Sequence, residues 1–346
     1  MPDMPDVETL KIPDFDAEEW NDFAISQGWS DGLPLLMPTE ELVDQFVKTY
    51  KQGKVLFPLM PPRFVIPTLR TIAANAVMAG CRVDYFPVIV AAVRGTLCPA
   101  YNLSGSVATT HSCAPTIIVN GPIRQDLKIN CSSNCFGQGT RANATIGRAL
   151  QLVLSNVGGA TPGVMDRATQ GSSAKYTFCF GENEEQSPWE PYHVRRGFDP
   201  ADSVATTVAC EPPHNINDHA SVSGTGILTT IAETISQTGV NIVRGNCPYF
   251  VVLGPEHAAT LHRDGWNVPD IQLKLYEETK VHISRIWHEQ IAYAENRGNK
   301  VKNDHLYLTA SPDRIQVLVA GGAGKHSAYI PTFSSTEECS IRISGH

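Results

Sequence analysis

The sequence predicts an α/β fold, a mostly parallel or mixed sheet with flanking helices, on three observations. Short apolar runs end repeatedly at glycine or proline, helical stretches lie between them, and 346 residues are enough to bury a large core. The length further suggests two similar-sized α/β lobes, with an N-terminal arm over 1–30, a first lobe over 31–200 and a second over 201–346.

The arm is polar and acidic, with Trp20, Phe23 and Trp29 as anchors that pack it on the body. In "SDGLPLLMPTEELVDQFVKTY" a turn precedes a helix that Thr39 caps and Glu40 and Glu41 favour at its first turn. A proline-punctuated segment then leads into two apolar helices, about 67–79 and 86–96, broken at Gly80-Cys81. After this come five apolar runs read as strands into turns: "APTIIVNGPI" (114–123), "KYTFCFGENE" (175–184), "DSVATTVACEPP" (202–213), "PYFVVLGPEHA" (248–258) and "RIQVLVAGGAGKHS" (314–327). Helices are expected between them at Asn143 to Val157, Gly226 to Gln237, Pro255 to Arg263 and Asp270 to about Ala292. In the first of these, Ile146, Leu150, Val153, Leu154 and Val157 recur at helical spacing and Gly158 stops the helix. No exact internal repeat is visible.

Charged residues make up 18% and hydrophobic ones 42%, and no apolar run is long enough to span a bilayer. A net charge of -8 and a pI near 5.8 argue against nucleic acid and anionic membranes as partners. The acidic start lacks the basic and apolar regions of a secretory signal, so a cytoplasmic protein is expected. Nine cysteines, an odd number scattered along the chain, do not form a disulfide framework and read mostly as small buried hydrophobes.

Three strands share one pattern: IIVN before Gly121-Pro122, FVVL before Gly254-Pro255-Glu256-His257, and VLVA before the turn from Gly321 to Ser327. Ligands of open α/β sheets bind beyond the carboxyl ends of strands, so these turns are candidates for one shared crevice. Tight strand-to-helix turns use the same residues without any ligand.

"GGAGKHS" fails as a phosphate-binding Walker loop because Val319 and His326 occupy positions that need glycine and Ser or Thr, which disfavours ATP. A looser reading keeps Gly322 and Gly324 as anion-facing backbone, Lys325 as charge and His326 as a proton-transfer group. Glu256 and His257 open a helix at a strand end and are candidates for acid and base, with His257 also a candidate metal ligand. In "VATTHSCAP", His111 and Cys113 share one face of an extended segment, as base and nucleophile or as two metal ligands. "CEPPHNINDH" crowds Cys210, Glu211, His214, Asp218 and His219 at irregular spacing, a weak metal signal. Glu182, Glu184 and Glu185 are carboxylates after a strand, with Glu182 a further metal candidate.

The stretch "KINCSSNCFGQGTRANATIGRAL" spaces Cys131 and Cys135 as C-x3-C with no second pair, which argues against a zinc or thioredoxin-like role. Its G-x-G-x-x-A string lacks a good preceding strand and an acid-ended strand after the helix, which disfavours NAD. What remains is a helix start where Arg141, Asn143 and Arg148 are candidates to hold an anion.

With "GWSDGLP", "NAVMAGC", "TTH", "IIVNGPI", "RANATIGRAL", "ENEE", "GPEHA" and "AGGAGKHS" in order over about residues 26–330, the chain resembles a bacterial and fungal family associated with UGSC-type (seleno)proteins. Those are named for a Sec-Gly-Ser-Cys motif, so the resemblance implies thiol or selenol redox chemistry on a small molecule. This chain lacks the motif, and "AGCR" and "SGSV" do not replace it. The resemblance therefore implies either a partner subunit that supplies the chemistry or a different reaction.

The expectation is an enzyme that acts on a small polar or anionic metabolite by thiol-linked or metal-assisted chemistry, whether reductive cleavage, elimination or hydrolysis. A divalent transition metal is the cofactor to look for, and a homo- or hetero-oligomer is expected. The alternative is a non-catalytic ligand-binding or scaffold subunit of a larger redox enzyme.

Overall fold

A computed structural model describes residues 10–51, 55–241 and 247–344. The first nine residues of the arm lie outside the described residues. Helices α1 (Ala17–Ser26), α2 (Glu40–Thr49), α3 (Leu69–Met78) and α4 (Phe86–Thr96) precede the short α5 (Leu103–Val107). Strand β1 (Ala114–Asn120), α6 (Ile123–Asp126), α7 (Arg141–Asn156) and β2 (Cys179–Gly181) then make a first β-α-β unit. Helix α8 (Tyr192–Arg195), β3 (Val204–Cys210), β4 (His214–Asn217) and α9 (Gly224–Ile235) lead to the second unit. That unit runs through β5 (Tyr249–Leu253), α10 (Pro255–Arg263), α11 (Val268–Glu278), β6 (Lys280–His282), α12 (His288–Glu295), β7 (Val301–Lys302) and β8 (His305–Tyr307) to β9 (Ile315–Val319). The chain closes with β10 (His326–Pro331) and β11 (Cys339–Arg342).

The strands form two four-stranded sheets, ordered β11-β3-β1-β2 and β4-β10-β5-β9, and a small sheet β6-β8-β7. Each large sheet has one parallel pair, β1 with β2 or β5 with β9, and otherwise antiparallel neighbours. The fold is therefore α/β with mixed sheets and flanking helices, the second of the two sheet arrangements expected. The two sheets repeat one topology, a duplication that the sequence does not display.

They also exchange edge strands. The chain leaves β3 of the first sheet to supply β4 at the edge of the second, and leaves β10 of the second to supply β11 at the edge of the first. At the crossing, Cys210 bridges Thr332, Glu211 N–H donates to the Pro331 carbonyl at 2.9 Å and Phe333 N–H to that of Ala209 at 2.8 Å. Both β3 and β11 follow residue 200, so the chain is not divided between the sheets at that point.

Alternation along the strands explains the layering. Ile117, Val119, Ala205 and Ala209 face α3, α4 and α7 in one buried cluster. The opposite face of that sheet, with Ile118, Phe180 and Val208, shares a cluster with Phe250, Val252, Leu318 and Ile330 of the second sheet. Tyr249, Val251, Val317 and Tyr329 then face α9, α10 and α11. The result is four layers, helices outside and two sheets face to face. The arm packs on the outer helices through α1, where Trp20 Nε1–H donates to the Leu35 carbonyl at 2.9 Å.

The expected helix from Asp270 to Ala292 is two helices with β6 between them. Thr279-Lys280-Val281 leaves the helix so that Val281 is buried opposite Leu306 of β8. No single helix among the described residues is long and apolar enough to cross a membrane.

Candidate functional site

The carboxyl ends of β1, β2, β5 and β9 lie on the side of the molecule away from the strand crossing, and the two sheets finish differently there. In the first sheet, Arg124 is buried and fully engaged. It donates to the carbonyls of Gly121 at 3.2 Å and Glu182 at 2.7 Å, and pairs with Glu184 at 2.8 Å and Glu185 at 3.0 Å. Asn120 Nδ2 bridges Glu182 at 2.5 Å and Glu184 at 3.0 Å, and Tyr192 N–H donates to Glu182 at 2.7 Å. Burial raises the Glu182 carboxyl to about 7 against the pull of Arg195 and its two donors, while the Arg124 hydrogen bond lowers Glu185 to about 2. These carboxylates close the sheet end, and among the described residues Glu182 belongs to no group of three or more side chains able to hold a metal.

In the second sheet the corresponding end is open. The turn Ala320–Lys325 joins β9 to β10 beside an open cleft of about 410 Å³. Glycine is required at 322 because a Cβ there would overlap the Ser133 hydroxyl, and at 324 because φ is +135°. Three anchors hold the turn. Asn183 donates its N–H to the Val319 carbonyl at 2.7 Å and its Nδ2 to that of Gly321 at 3.2 Å; Gly321 N–H donates to the Cys131 carbonyl at 2.9 Å; and Glu256 accepts from Gly324 N–H at 2.7 Å. Glu256 is thus a brace between α10 and the turn.

His257 is buried, and both ring nitrogens are used. Nε2 is 3.1 Å from the Asp218 carbonyl, which can only accept, so Nε2 carries the proton and Nδ1 accepts the Ser327 hydroxyl at 2.8 Å. Ser327 Oγ also accepts from Gly254 N–H at 3.2 Å. This chain positions the first turn of α10 against β10. Burial opposes the Asp218 charge, but hydrogen bonds from Thr230, Ser221 and Ala220 bring it down to about 2 and fix the loop.

His326 opens β10 and faces the cleft. Its Nδ1 is 3.0 Å from Asn215 Oδ1, an acceptor, so Nδ1–H donates and Nε2 presents a lone pair. That Nε2 stands 3.2 Å from Nε2 of His219, whose carbonyl accepts from Lys325 Nζ at 3.2 Å. Apolar groups including Phe136 and Ala328 line the cleft beside these polar ones.

The chain matches no family model, no curated protein and no solved structure.

The predicted residues do not share one crevice. Gly322, Gly324, Lys325, His326 and Glu256 meet at the open end, with His257 buried beneath them. His111 and Cys113 lie before β1, at the other end of the strands and roughly 20 Å away. His111 pairs with Glu211 at 2.6 Å and stacks on Phe333 at 5.9 Å, so it serves the strand crossing. Cys113 is buried beside a cavity of about 20 Å³, room for about one water, and its Sγ donates to the Ser106 carbonyl at 3.5 Å. Burial pushes that thiol up to about 12, which disfavours the thiolate that a nucleophile needs.

The predicted anion site at α7 also dissolves. Asn143 is consumed by loop 130–135, accepting from Asn130 N–H at 2.7 Å and donating to the carbonyls of Asn130 at 2.9 Å and Cys135 at 3.2 Å. Arg148 makes a forked pair with Asp31, at 2.7 Å to each oxygen, and clamps the turn before α2. Arg141 donates to the Gly80 carbonyl at 3.0 Å at a separate cavity. Among the described residues, no three His, Cys, Asp or Glu side chains form a metal cluster.

Sequence reasoning missed Asn183, Asn215 and Ser327 as site residues and treated His219 only as part of a diffuse run. Ser327 stood at the end of the glycine turn already singled out. The other three are recruited to the turn across long sequence separations, and Asn183 and Asn215 carry no local signal.

Proposed function

We propose that this protein is an enzyme that binds a small polar or anionic metabolite in the cleft at the open end of the second sheet. It acts by imidazole-centred acid-base or metal-assisted chemistry, with His326 as the group that exchanges a proton or holds the reacting atom. The observation that carries the reading is the Asn215-oriented His326 imidazole, whose Nε2 lone pair is directed toward His219 beside a preorganised glycine turn. Lys325 supplies positive charge next to that pair. Phe136 and Ala328 favour a ligand with a small apolar part.

The thiol-linked branch has little support at this site. Cys135, the thiol lining the cleft, is buried and pushed up to about 12. The hydrogen bond with Cys339 lowers the Cys98 thiol, but Cys98 sits beyond α4 beside β11 and does not line the cleft.

A panel of carboxylates, phosphates and amides, screened by ligand-detected NMR, tests the reading. A binder should be weakened at least ~10-fold by His326→Ala and by Gly322→Ala, and should be turned over by the wild type. Binding that is indifferent to both substitutions would sink the proposed site. Binding without turnover for every compound would favour the ligand-binding subunit instead.

A further inference from the structure

We infer that His219 and His326 form a two-imidazole site for a divalent transition metal at the mouth of the cleft. Their Nε2 atoms are 3.2 Å apart, with ring centroids at 5.0 Å and planes at 78°. Two nitrogens held ~2.0–2.1 Å from one ion at a near-tetrahedral angle stand about 3.3 Å apart. A straight N–H···N bond of the observed length would put the ring centres about 5.5 Å apart. The rings are instead inclined to each other, as two ligands of a common ion are.

The surroundings of His326 agree. Its Nδ1–H is given to Asn215 Oδ1 at 3.0 Å, the outer hydrogen bond that metal-bound imidazoles use to fix ring orientation and leave Nε2 as donor to the ion. Both histidines are exposed, and no third His, Cys, Asp or Glu among the described residues joins them, so the other coordination positions fall to water or to a ligand in the cleft. Two imidazoles without thiolate select the Zn²⁺, Cu²⁺ and Ni²⁺ class over Mg²⁺ or Ca²⁺. Positions left open to water or ligand are those of a working metal more than of a structural one. The nearby Lys325 ammonium, bound to the His219 carbonyl, opposes the charge of the ion and makes the site one of modest affinity.

A second pair, the exposed His282 and the half-buried His305, provides the internal contrast. His282 and His305 face each other across β6 and β8 with centroids also 5.0 Å apart, but His282 Nδ1 accepts from Ser284 N–H at 3.2 Å, which leaves the proton of the neutral ring on Nε2 and no lone pair there for an ion. A metal that merely sought surface histidines would choose either pair.

The role of the ion rests on the proposed function of the cleft, while its binding does not. Full-length protein stripped with a chelator should be titrated with Zn²⁺ by calorimetry, and with Cu²⁺ followed by the nitrogen hyperfine pattern of its electron paramagnetic resonance. One ion should bind per chain. Its affinity should fall at least ~10-fold in His219→Ala and in His326→Ala, fall by about 10-fold in Asn215→Ala, and stay unchanged in His282→Ala. Melting temperatures of the metal-free variants, expected to be equal, separate loss of a ligand from loss of fold. Absence of one-to-one binding in the wild type, or binding lost in His282→Ala and kept in His326→Ala, overturns the site. Metal binding that follows these expectations while the metabolite panel fails would overturn the proposed function alone.

Discussion

The two sheets have the same strand order, the same single parallel pair and the same exchange of an edge strand, yet their carboxyl ends do opposite things. The first ends in charges that satisfy one another: one buried arginine, three glutamates and a bridging asparagine. The second ends in a glycine turn whose backbone is held from outside, with imidazoles that retain free bonding capacity. A topology therefore does not place a site. What distinguishes the two ends is the pairing of their charged side chains and the exposure of their imidazoles. The two ends are also linked, because Asn183 follows the buried Glu182 directly and clasps Val319 and Gly321 of the other sheet. The sealed end serves as the anvil on which the open one is shaped.

The sharpest way to break the contrast is to remove the central charge of each end. Arg124→Ala leaves carboxylates without their buried partner and should cost about 3–5 kcal/mol. Lys325→Ala, at the open end, should cost less than about 0.5 kcal/mol. Urea denaturation of both variants measures this. Equal losses would show that the two ends are not different in kind.

A second effect of comparable size is pH-dependent. Folding holds the Glu182 proton to about pH 7 against an ordinary value of 4.5. Its contribution is thus whole below about pH 4.5 and is lost as pH rises through about 7, by up to roughly 3 kcal/mol. Glu182→Gln retains an acceptor for Tyr192 N–H and Asn120, and should flatten the stability profile between pH 5 and 8. A wild-type profile already flat over that range would show that the carboxyl is ionised when folded.

Much of this architecture was legible in the sequence. Each apolar run ending at Gly or Pro became a strand, because burial on both faces leaves an unbroken hydrophobic signature. The exchanged β4 carried no such signature: in His214–Asn217 only Ile216 is buried, as befits an edge strand with a wet face. Within the site, the turn chemistry of Gly322, Gly324 and Lys325 was local and readable. Whether Asn143 or Arg148 was free to bind a ligand was not, since their partners Asn130 and Asp31 are brought to them by the fold. The same limit explains His111 and Cys113, whose close spacing promised chemistry while the topology put them at the wrong end of the strands.

The glycine turn supplies a smaller effect that sharpens the comparison. Gly322→Ala pushes a methyl into Ser133 and should cost about 1–3 kcal/mol by overpacking. Pairing it with Ser133→Ala, which removes the obstructing hydroxyl, should recover part of that loss. If the double variant is no more stable than the single one, the turn is not pressed against loop 131–135.

The smallest expected change in stability is the most telling for function. His326 is exposed and bonded to Asn215 and His219 at a surface where water can replace both. His326→Ala should therefore alter stability by no more than about 0.5 kcal/mol. His257→Ala removes a buried ring that joins Ser327 to the Asp218 carbonyl and should cost about 2–3 kcal/mol through the unpaired groups it leaves. Thermal and urea denaturation of the two variants, read beside ligand and metal binding, separates the roles: loss of binding with intact stability marks His326 as a working residue, and the reverse pattern marks His257 as a brace. If His326→Ala were as destabilising as His257→Ala, the imidazole at the open end would be another fastener, and the two ends of the molecule would be alike after all.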